Sequence, residues 1–67
     1  MSIIVTRNGE QSTIRGFNSR TAVSHLNELT AFWRCNPDAQ SIERPTTEYL
    51  AVETTDGESF AWEIDGF

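Results

Sequence analysis

Cysteine is nearly absent from this chain of 67 residues, lysine is wholly absent, and no long apolar run occurs. The single cysteine, Cys35, excludes an intrachain disulfide, whereas small secreted domains usually carry several. No apolar segment approaches the roughly 20 residues of a membrane helix, and residues 1–5 lack the length and the basic start of a signal peptide. We therefore expect a cytoplasmic protein without a membrane partner.

The chain also lacks a recognisable catalytic or metal-binding pattern. His25 and Glu28 lie three residues apart on a predicted helix, but a metal site needs three or four ligands. Cys35, ten residues after His25, would be turned away by about 80° around the helix. No Gly-rich phosphate loop and no Ser-His-Asp pattern occurs. The sequence predicts neither an enzyme nor a cofactor.

Acidic charge is what the chain has in excess, with ten Asp and Glu against five Arg. Residues 41–67 contain seven carboxylates and a single cation, Arg44, whereas residues 1–40 are close to neutral. Direct binding to nucleic acid is disfavoured, because phosphate contacts call for a basic surface. An acidic field on so small a chain indicates a basic protein or nucleoprotein partner.

Large aromatic side chains supply most of the apolar surface that could form a core. They include Phe17, Phe32, Trp33, Tyr49, Phe60 and Trp62. A chain of this size buries only roughly 60% of the surface that it exposes when unfolded. We therefore expect a single compact domain over residues 1–67, close to the lower size limit for independent folding.

The first half of the chain reads as a β-hairpin followed by a helix. Strands are predicted over residues 3–6 and 12–17, with Asn8-Gly9 as a two-residue turn that pairs Val5 with Ser12 and Ile3 with Ile14. The helix would begin after Asn18 or Ser19 and end at Asn36-Pro37. Its apolar stripe contains Ala22, Leu26, Leu29 and Trp33, while Arg20, Asn27, Thr30 and Arg34 would point elsewhere.

The second half reads as a loop followed by another hairpin. Pro45 indicates a loop over residues 38–46. Strands are predicted over residues 47–54 and 58–64. A two-residue Asp56-Gly57 turn would mix the apolar and polar sides. A three-residue loop over residues 55–57 pairs Val52 with Phe60 and Leu50 with Trp62, and is preferred because it gathers the apolar residues on one side.

Together these elements predict a two-layer α+β domain of ββαββ order, in which a four-stranded, mainly antiparallel sheet packs on one helix. Whether the two hairpins are neighbours in the sheet stays open. The predicted core consists of Ile3, Val5, Ile14, Phe17, Ala22, Leu26, Leu29, Trp33, Leu50, Val52, Phe60, Trp62 and Ile64.

The outer side of the last hairpin is the candidate binding surface. It would present Tyr49, Ala51 and Glu53 on one strand and Ser59, Ala61, Glu63 and Asp65 on the other, with Glu48, Asp56 and Glu58 near its ends. Tyrosine is enriched in binding hot spots, which adds Tyr49 to the candidate contacts. An alternative interpretation is a solvated sheet face whose charges discourage edge pairing.

This small acidic chain, without motif or disulfide and with a sheet-plus-helix layout, resembles the small phage-encoded anti-CRISPR proteins. Several members of that class occupy basic nucleic-acid-binding surfaces of CRISPR effector complexes. The resemblance implies a non-enzymatic inhibitor in the host bacterial cytoplasm that acts as a DNA mimic. The binding residues would be Glu48, Tyr49, Glu53, Asp56, Glu58, Glu63 and Asp65.

Two other functions stay open at this level. A small structural or assembly subunit would self-associate through an exposed strand edge or an apolar patch, with Phe32, Tyr49 and Phe67 as contacts. An antitoxin or immunity-type partner of a basic enzyme would use the same acidic surface as the inhibitor. Binding that weakens strongly with salt favours the acidic surface, whereas self-association that persists in high salt favours the subunit.

Overall fold

The computed structural model describes residues 1–66 as five strands and one helix. In chain order they are β1 (Ser2–Arg7), β2 (Glu10–Arg15), α1 (Ser19–Arg34), β3 (Ala39–Thr46), β4 (Tyr49–Thr54) and β5 (Ser59–Asp65). All strand pairs are antiparallel, and the order across the sheet is β2-β1-β5-β4-β3. The α+β class is therefore confirmed, but the sheet has five strands rather than the predicted four.

The first hairpin has the predicted register. Arg7 lies opposite Glu10, Val5 opposite Ser12 and Ile3 opposite Ile14. The turn residues Asn8 and Gly9 have φ angles of 50° and 88°. Positive φ at both central positions is what a type I′ turn requires, and its twist matches that of the flanking strands.

Helix α1 begins after Asn18, one of the two predicted caps. The backbone N–H of Thr21 donates to Asn18 Oδ1 at 2.9 Å, and the Thr21 hydroxyl accepts from the Asn18 N–H at 2.9 Å. These reciprocal bonds satisfy donors that the first helical turn leaves without partners. Within residues 1–66, no helix combines the length and the apolar character needed to cross a bilayer.

The predicted loop over residues 38–46 is wrong, because most of it forms the edge strand β3. This strand pairs with β4 on one side only. Pro45 is tolerated because a proline at a sheet edge or bulge costs no ladder hydrogen bond, and the register shifts between Glu43 and Thr46. The fifth strand of the sheet is thus the segment that was predicted to be a loop because it contains Pro45.

The last hairpin confirms the three-residue loop. Val52 lies opposite Phe60 and Leu50 opposite Trp62. The Thr54 N–H donates to the Glu58 carbonyl at 2.9 Å, which closes the loop over residues 55–57. Gly57 has a φ of 88°, the left-handed conformation expected for the bulge position. β5 then pairs with β1, so the N-terminal and C-terminal strands meet inside the sheet.

The core lies between α1 and the sheet. Its buried apolar residues are Ile3, Ala22, Leu26, Leu50, Val52, Trp62 and Ile64, against which Val5, Phe17, Leu29, Trp33, Phe60, Val23, Ala39 and Ile42 pack while half-buried. Ile14 was wrongly placed in the core and is 44% exposed. The reason is that α1 packs over β3, β4 and β5, whereas every residue of β2 is exposed.

Thr30 also differs from its expected position. It is buried on the side of α1 that faces the sheet. The sequence predicted instead that Thr30 points away from the sheet, because it lies outside the apolar stripe of the helix. Its hydroxyl donates to the Leu26 carbonyl at 2.7 Å and accepts from the Arg44 guanidinium at 2.8 Å. Burial is therefore compatible with a polar side chain here, because both hydrogen-bonding capacities are used.

Candidate functional site

The side of the sheet opposite α1, called the outer face below, carries no covering element among the described residues. Successive side chains of a strand alternate between the two sides, so the registers assign each residue to one of them. The outer face consists of Ser2, Ile4 and Thr6 of β1, Gln11, Thr13 and Arg15 of β2, Ser41 and Glu43 of β3, Tyr49, Ala51 and Glu53 of β4, and Ser59, Ala61, Glu63 and Asp65 of β5.

Four carboxylates and one tyrosine of this face form what we call the acidic patch: Glu43, Tyr49, Glu53, Glu63 and Asp65. The four carboxylate side chains are exposed, and Tyr49 is half-buried. Four of these five residues were predicted from the sequence to share a face. Glu43 was not, because it lay in the segment that was expected to be a loop.

Every carboxylate of the acidic patch lies opposite uncharged residues. Glu53 faces Ser59 on β5 and Ser41 on β3, and Glu63 faces Tyr49 on β4 and Ile4 on β1. Like charges directly opposite each other destabilise a sheet, so this arrangement lets the face gather negative charge without such pairs. Glu43 and Glu53 are diagonal neighbours, which places their Cα atoms about 7–8 Å apart.

Small residues form the floor between the carboxylates. Ala51 lies opposite Ala61, and both are half-buried. With Tyr49, Glu43 and Glu53 they help to line a shallow concavity of about 250 Å³. A long cationic side chain could lie along this floor with its stem on the alanines and its head beside the carboxylates, as lysine and arginine side chains often do.

Arg44, the single cation of residues 41–67, does not neutralise the acidic patch. Arg44 points to the helix side, where its Nε donates to the Thr46 carbonyl at 2.9 Å and its guanidinium reaches the Thr47 carbonyl and the Thr30 hydroxyl, both at 2.8 Å. These contacts hold β3 against α1. Because Arg44 is bound within the chain on the helix side, it does not pair with the carboxylates of the outer face. Those carboxylates are therefore accessible to solvent or to a partner.

A second arginine is likewise engaged on the helix side. Arg7 Nη2 lies 3.0 Å from Glu58 Oε1, and the Arg7 guanidinium lies over the Phe60 ring at 5.5 Å from its centroid. Arg15 is the one cation that the described strands place on the outer face. It lies two strands from Asp65, with Ser2 between them.

The structure separates three predicted binding residues from the acidic patch. Glu58 pairs with Arg7 on the helix side. Glu48 lies between β3 and β4, where its backbone N–H donates to the Thr46 hydroxyl and its carbonyl accepts from the Ile64 N–H at 2.9 Å. Asp56 is at the tip of the β4–β5 loop. Of the seven predicted residues, Tyr49, Glu53, Glu63 and Asp65 therefore share one surface.

Asp56 is held in the loop by a neighbouring hydroxyl. The Thr54 Oγ1 donates to the Asp56 carboxylate, and this hydrogen bond lowers the pKa of Asp56 below its ordinary value. Because the pKa of Asp56 is lower in the folded chain, its ionised carboxylate stabilises the fold at pH values above the ordinary aspartate pKa. That contribution is lost as the pH falls through the lowered value.

We expect Thr54→Val to raise the pKa of Asp56 toward its ordinary value, because the stabilising donor is removed. Carboxyl-detected NMR titration measures the midpoint directly. Thr55→Val is the matched control, since Thr55 is an exposed neighbour in the same loop. Equal midpoints in the Thr54→Val variant and the native chain would show that the hydroxyl does not set this pKa.

The other polar side chains considered from the sequence do not converge. His25 packs against Phe17, with 5.4 Å between the ring centroids, and Cys35 is exposed at the C-terminal cap of α1. Within residues 1–66, no three His, Cys, Asp or Glu side chains are grouped so that they could hold a metal ion. Phe67, an expected contact in a self-associating subunit, lies outside the described residues.

Comparison with known proteins assigns no family. The chain matches no protein-family model, no curated protein sequence and no solved structure. The functional argument therefore rests on the charge and shape of the outer face.

Proposed function

We propose that this chain is a non-enzymatic inhibitor that binds a basic nucleic-acid-binding surface through its acidic patch. The target class that the anti-CRISPR resemblance implies is a CRISPR effector complex in the bacterial cytoplasm. The observation that carries the proposal is the uncovered sheet face, on which Glu43, Glu53, Glu63 and Asp65 are gathered while Arg44 is engaged on the opposite side. The inhibitor would block DNA binding by occupancy, without chemistry.

The electrostatics of such a target support this assignment. CRISPR effectors hold the guide–target duplex in a positively charged channel. Complementary potentials steer two partners together and raise the association rate, and like charges suppress wrong partners. An anionic protein surface would thus be attracted to the same channel that attracts DNA. Its contacts would be charge-assisted hydrogen bonds from arginine and lysine to the carboxylates.

Shape supports the same interpretation. Ala51 and Ala61 leave a shallow floor beside Tyr49, so a partner side chain can approach the backbone of the sheet closely. Tyrosine supplies contact area together with a hydroxyl group, and it is enriched among residues that dominate binding energy. We expect Tyr49 to be the central contact, with the carboxylates around it.

The proposal is tested by measuring target-DNA binding of purified, guide-loaded effector complexes of several CRISPR types while this protein is titrated in. We expect inhibition of at least one type at a stoichiometric ratio. Direct binding of the protein to that effector should weaken strongly between 0.1 M and 1 M salt, as the screening length falls from about 10 Å to 3 Å.

Two results would contradict the proposal. One is the absence of inhibition in every effector type. The other is binding that does not respond to salt, which would indicate an apolar contact elsewhere on the chain. If a basic enzyme that does not bind nucleic acid were bound by the same face, the antitoxin or immunity function would replace the inhibitor function.

A further inference from the structure

The two edges of the sheet are protected to different degrees. β3, the strand at one edge of the sheet, contains Pro45 and shifts register twice. The Arg44 guanidinium group of this strand binds the carbonyls of Thr46 and Thr47. β2 at the opposite edge pairs with β1 in an unbroken register over all six residues, contains no proline and is exposed throughout. Proline and bulges are among the usual devices that prevent edge-to-edge pairing. β3 has both, and β2 has neither.

The backbone groups that β2 turns toward its free edge can be identified from the hydrogen-bond alternation. The Asn8 N–H donates to the Ser59 carbonyl of β5 at 2.9 Å, so the even-numbered residues of β1 bond toward β5. The odd-numbered residues of β1 then bond to Glu10, Ser12 and Ile14 of β2. Consequently Gln11, Thr13 and Arg15 direct their N–H and C=O groups away from the sheet.

We propose that a second copy of this chain pairs with this edge, antiparallel, about a two-fold axis at Thr13. A two-fold axis perpendicular to the sheet reverses the strand direction and keeps the same face up. Centring it on Thr13 places Thr13 opposite its symmetry mate and Gln11 opposite Arg15 of the second copy. Gln11, Thr13 and Arg15, whose backbone groups point to the free edge, then all form hydrogen-bonded pairs with the second copy. An axis at Ser12 or Ile14 would pair only two of these three residues in this way.

The side chains of β2 complement this arrangement. Arg15, whose side chain is on the outer face, lies opposite the uncharged Gln11 of the second copy. Glu10, on the helix side, lies opposite Gly16 of the second copy, so antiparallel pairing places no like charges opposite each other. Ile14, 44% exposed in the single chain, gains a neighbour in Ser12 of the second copy. Parallel pairing would instead place like charges together, which is why the occupant is an antiparallel second copy.

This pairing has a consequence for the outer face. Because the two-fold axis keeps the same side up, the outer faces of both copies become one side of a continuous ten-stranded sheet. The two acidic patches then lie on the same side of one assembly. Self-pairing is independent of the inhibitor function and would hold even if that function were wrong.

Cysteine cross-linking in a Cys35→Ser background tests the axis position. Thr13→Cys places two thiols on residues whose Cα atoms are about 5.5 Å apart, within the range that a disulfide spans. Gln11→Cys is the matched control on the same strand and face, since its symmetry mate is displaced by four residues, or about 14 Å. We expect Thr13→Cys to form a covalent dimer at least about tenfold faster under mild oxidation, because the control distance exceeds what a disulfide can bridge.

Light scattering on the native chain and on Thr13→Pro completes the test. The Thr13 N–H points outward, so proline removes an intermolecular donor and leaves the β1–β2 hydrogen bonds in place. We expect the dimer dissociation constant to rise by roughly tenfold or more, with an unchanged circular dichroism spectrum. A native chain that stays monomeric at high concentration, or equal cross-linking at residues 11 and 13, would overturn the proposal.

Discussion

Trp62→Ala is expected to lower the free energy of unfolding by about 3–5 kcal/mol, the usual cost of removing a large buried aromatic side chain. Trp62 is buried, stacks on Phe60 with 6.0 Å between the ring centroids, and lies 6.5 Å from the ring of Trp33. A domain of this size has a total stability of only about 3–10 kcal/mol at 0.05–0.15 kcal/mol per residue. A large part of the population should therefore unfold, as measured by urea denaturation followed by circular dichroism.

Phe32→Ala is the control for that experiment. Phe32 belongs to the same aromatic cluster, with its ring edge-on to Trp33 at 5.4 Å, but it is 60% exposed. Its removal should cost about 1 kcal/mol or less, because little apolar area leaves the core. Comparable losses in the two variants would show that the core does not lie between α1 and the sheet as described.

The charge reversal Glu53→Lys/Glu63→Lys is expected to weaken target binding by at least about 100-fold, because like charges across an interface cost several kcal/mol. Both residues belong to the acidic patch, are exposed, and face uncharged neighbours on the adjacent strands. The stability of the fold should change by only about 0.5 kcal/mol per site. The measurement is the concentration for half-maximal inhibition of effector–DNA binding, with circular dichroism as the folding check.

Glu28→Lys/Asp38→Lys is the matched control for this reversal. It changes the net charge of the chain by the same amount, but its residues are exposed on α1 and in the α1–β3 turn rather than on the outer face. We expect it to inhibit within a few-fold of the native chain. Equal losses in both double variants would mean that net charge, and not the acidic patch, determines binding.

The registers of both hairpins could be predicted because local chemistry determines them. The strand bounds were predicted less well, since β2 covers Glu10–Arg15 rather than residues 12–17. Asn8-Gly9 supports the positive φ angles of a two-residue turn. In the last hairpin the two-residue period decided the register, since only one choice placed Leu50 and Val52 on the same side as Trp62. The Asn18 cap could also be predicted, as one of two candidates, from local chemistry. A short polar side chain directly before an apolar helical stripe is a signal for the start of a helix.

β3 escaped prediction because its signal is weak. It is an edge strand, Pro45 lies within it, and Ile42 and Ala39 are its half-buried apolar residues. A strand that buries so few side chains has little alternation to detect. Missing β3 also meant missing Glu43, although its carboxylate completes the acidic patch beside Glu53.

The strand order could not be deduced from the local pattern at all. It depends on pairing between β1 and β5, whose residues are separated by most of the chain. α1 packs over β3, β4 and β5, and this position leaves Ile14 of β2 exposed. Tertiary packing, and not the apolar character of Ile14, decides whether it belongs to the core.

The central claim is that the outer face contacts the target, and the most direct measurement is a hydrogen-exchange footprint of this protein with and without the inhibited effector complex. We expect slowed exchange, on binding, in peptides that cover β4 and β5, which carry Tyr49, Glu53, Glu63 and Asp65. Peptides from the exposed side of α1 should be unchanged. Protection confined to α1, with β4 and β5 unaffected, would contradict the account.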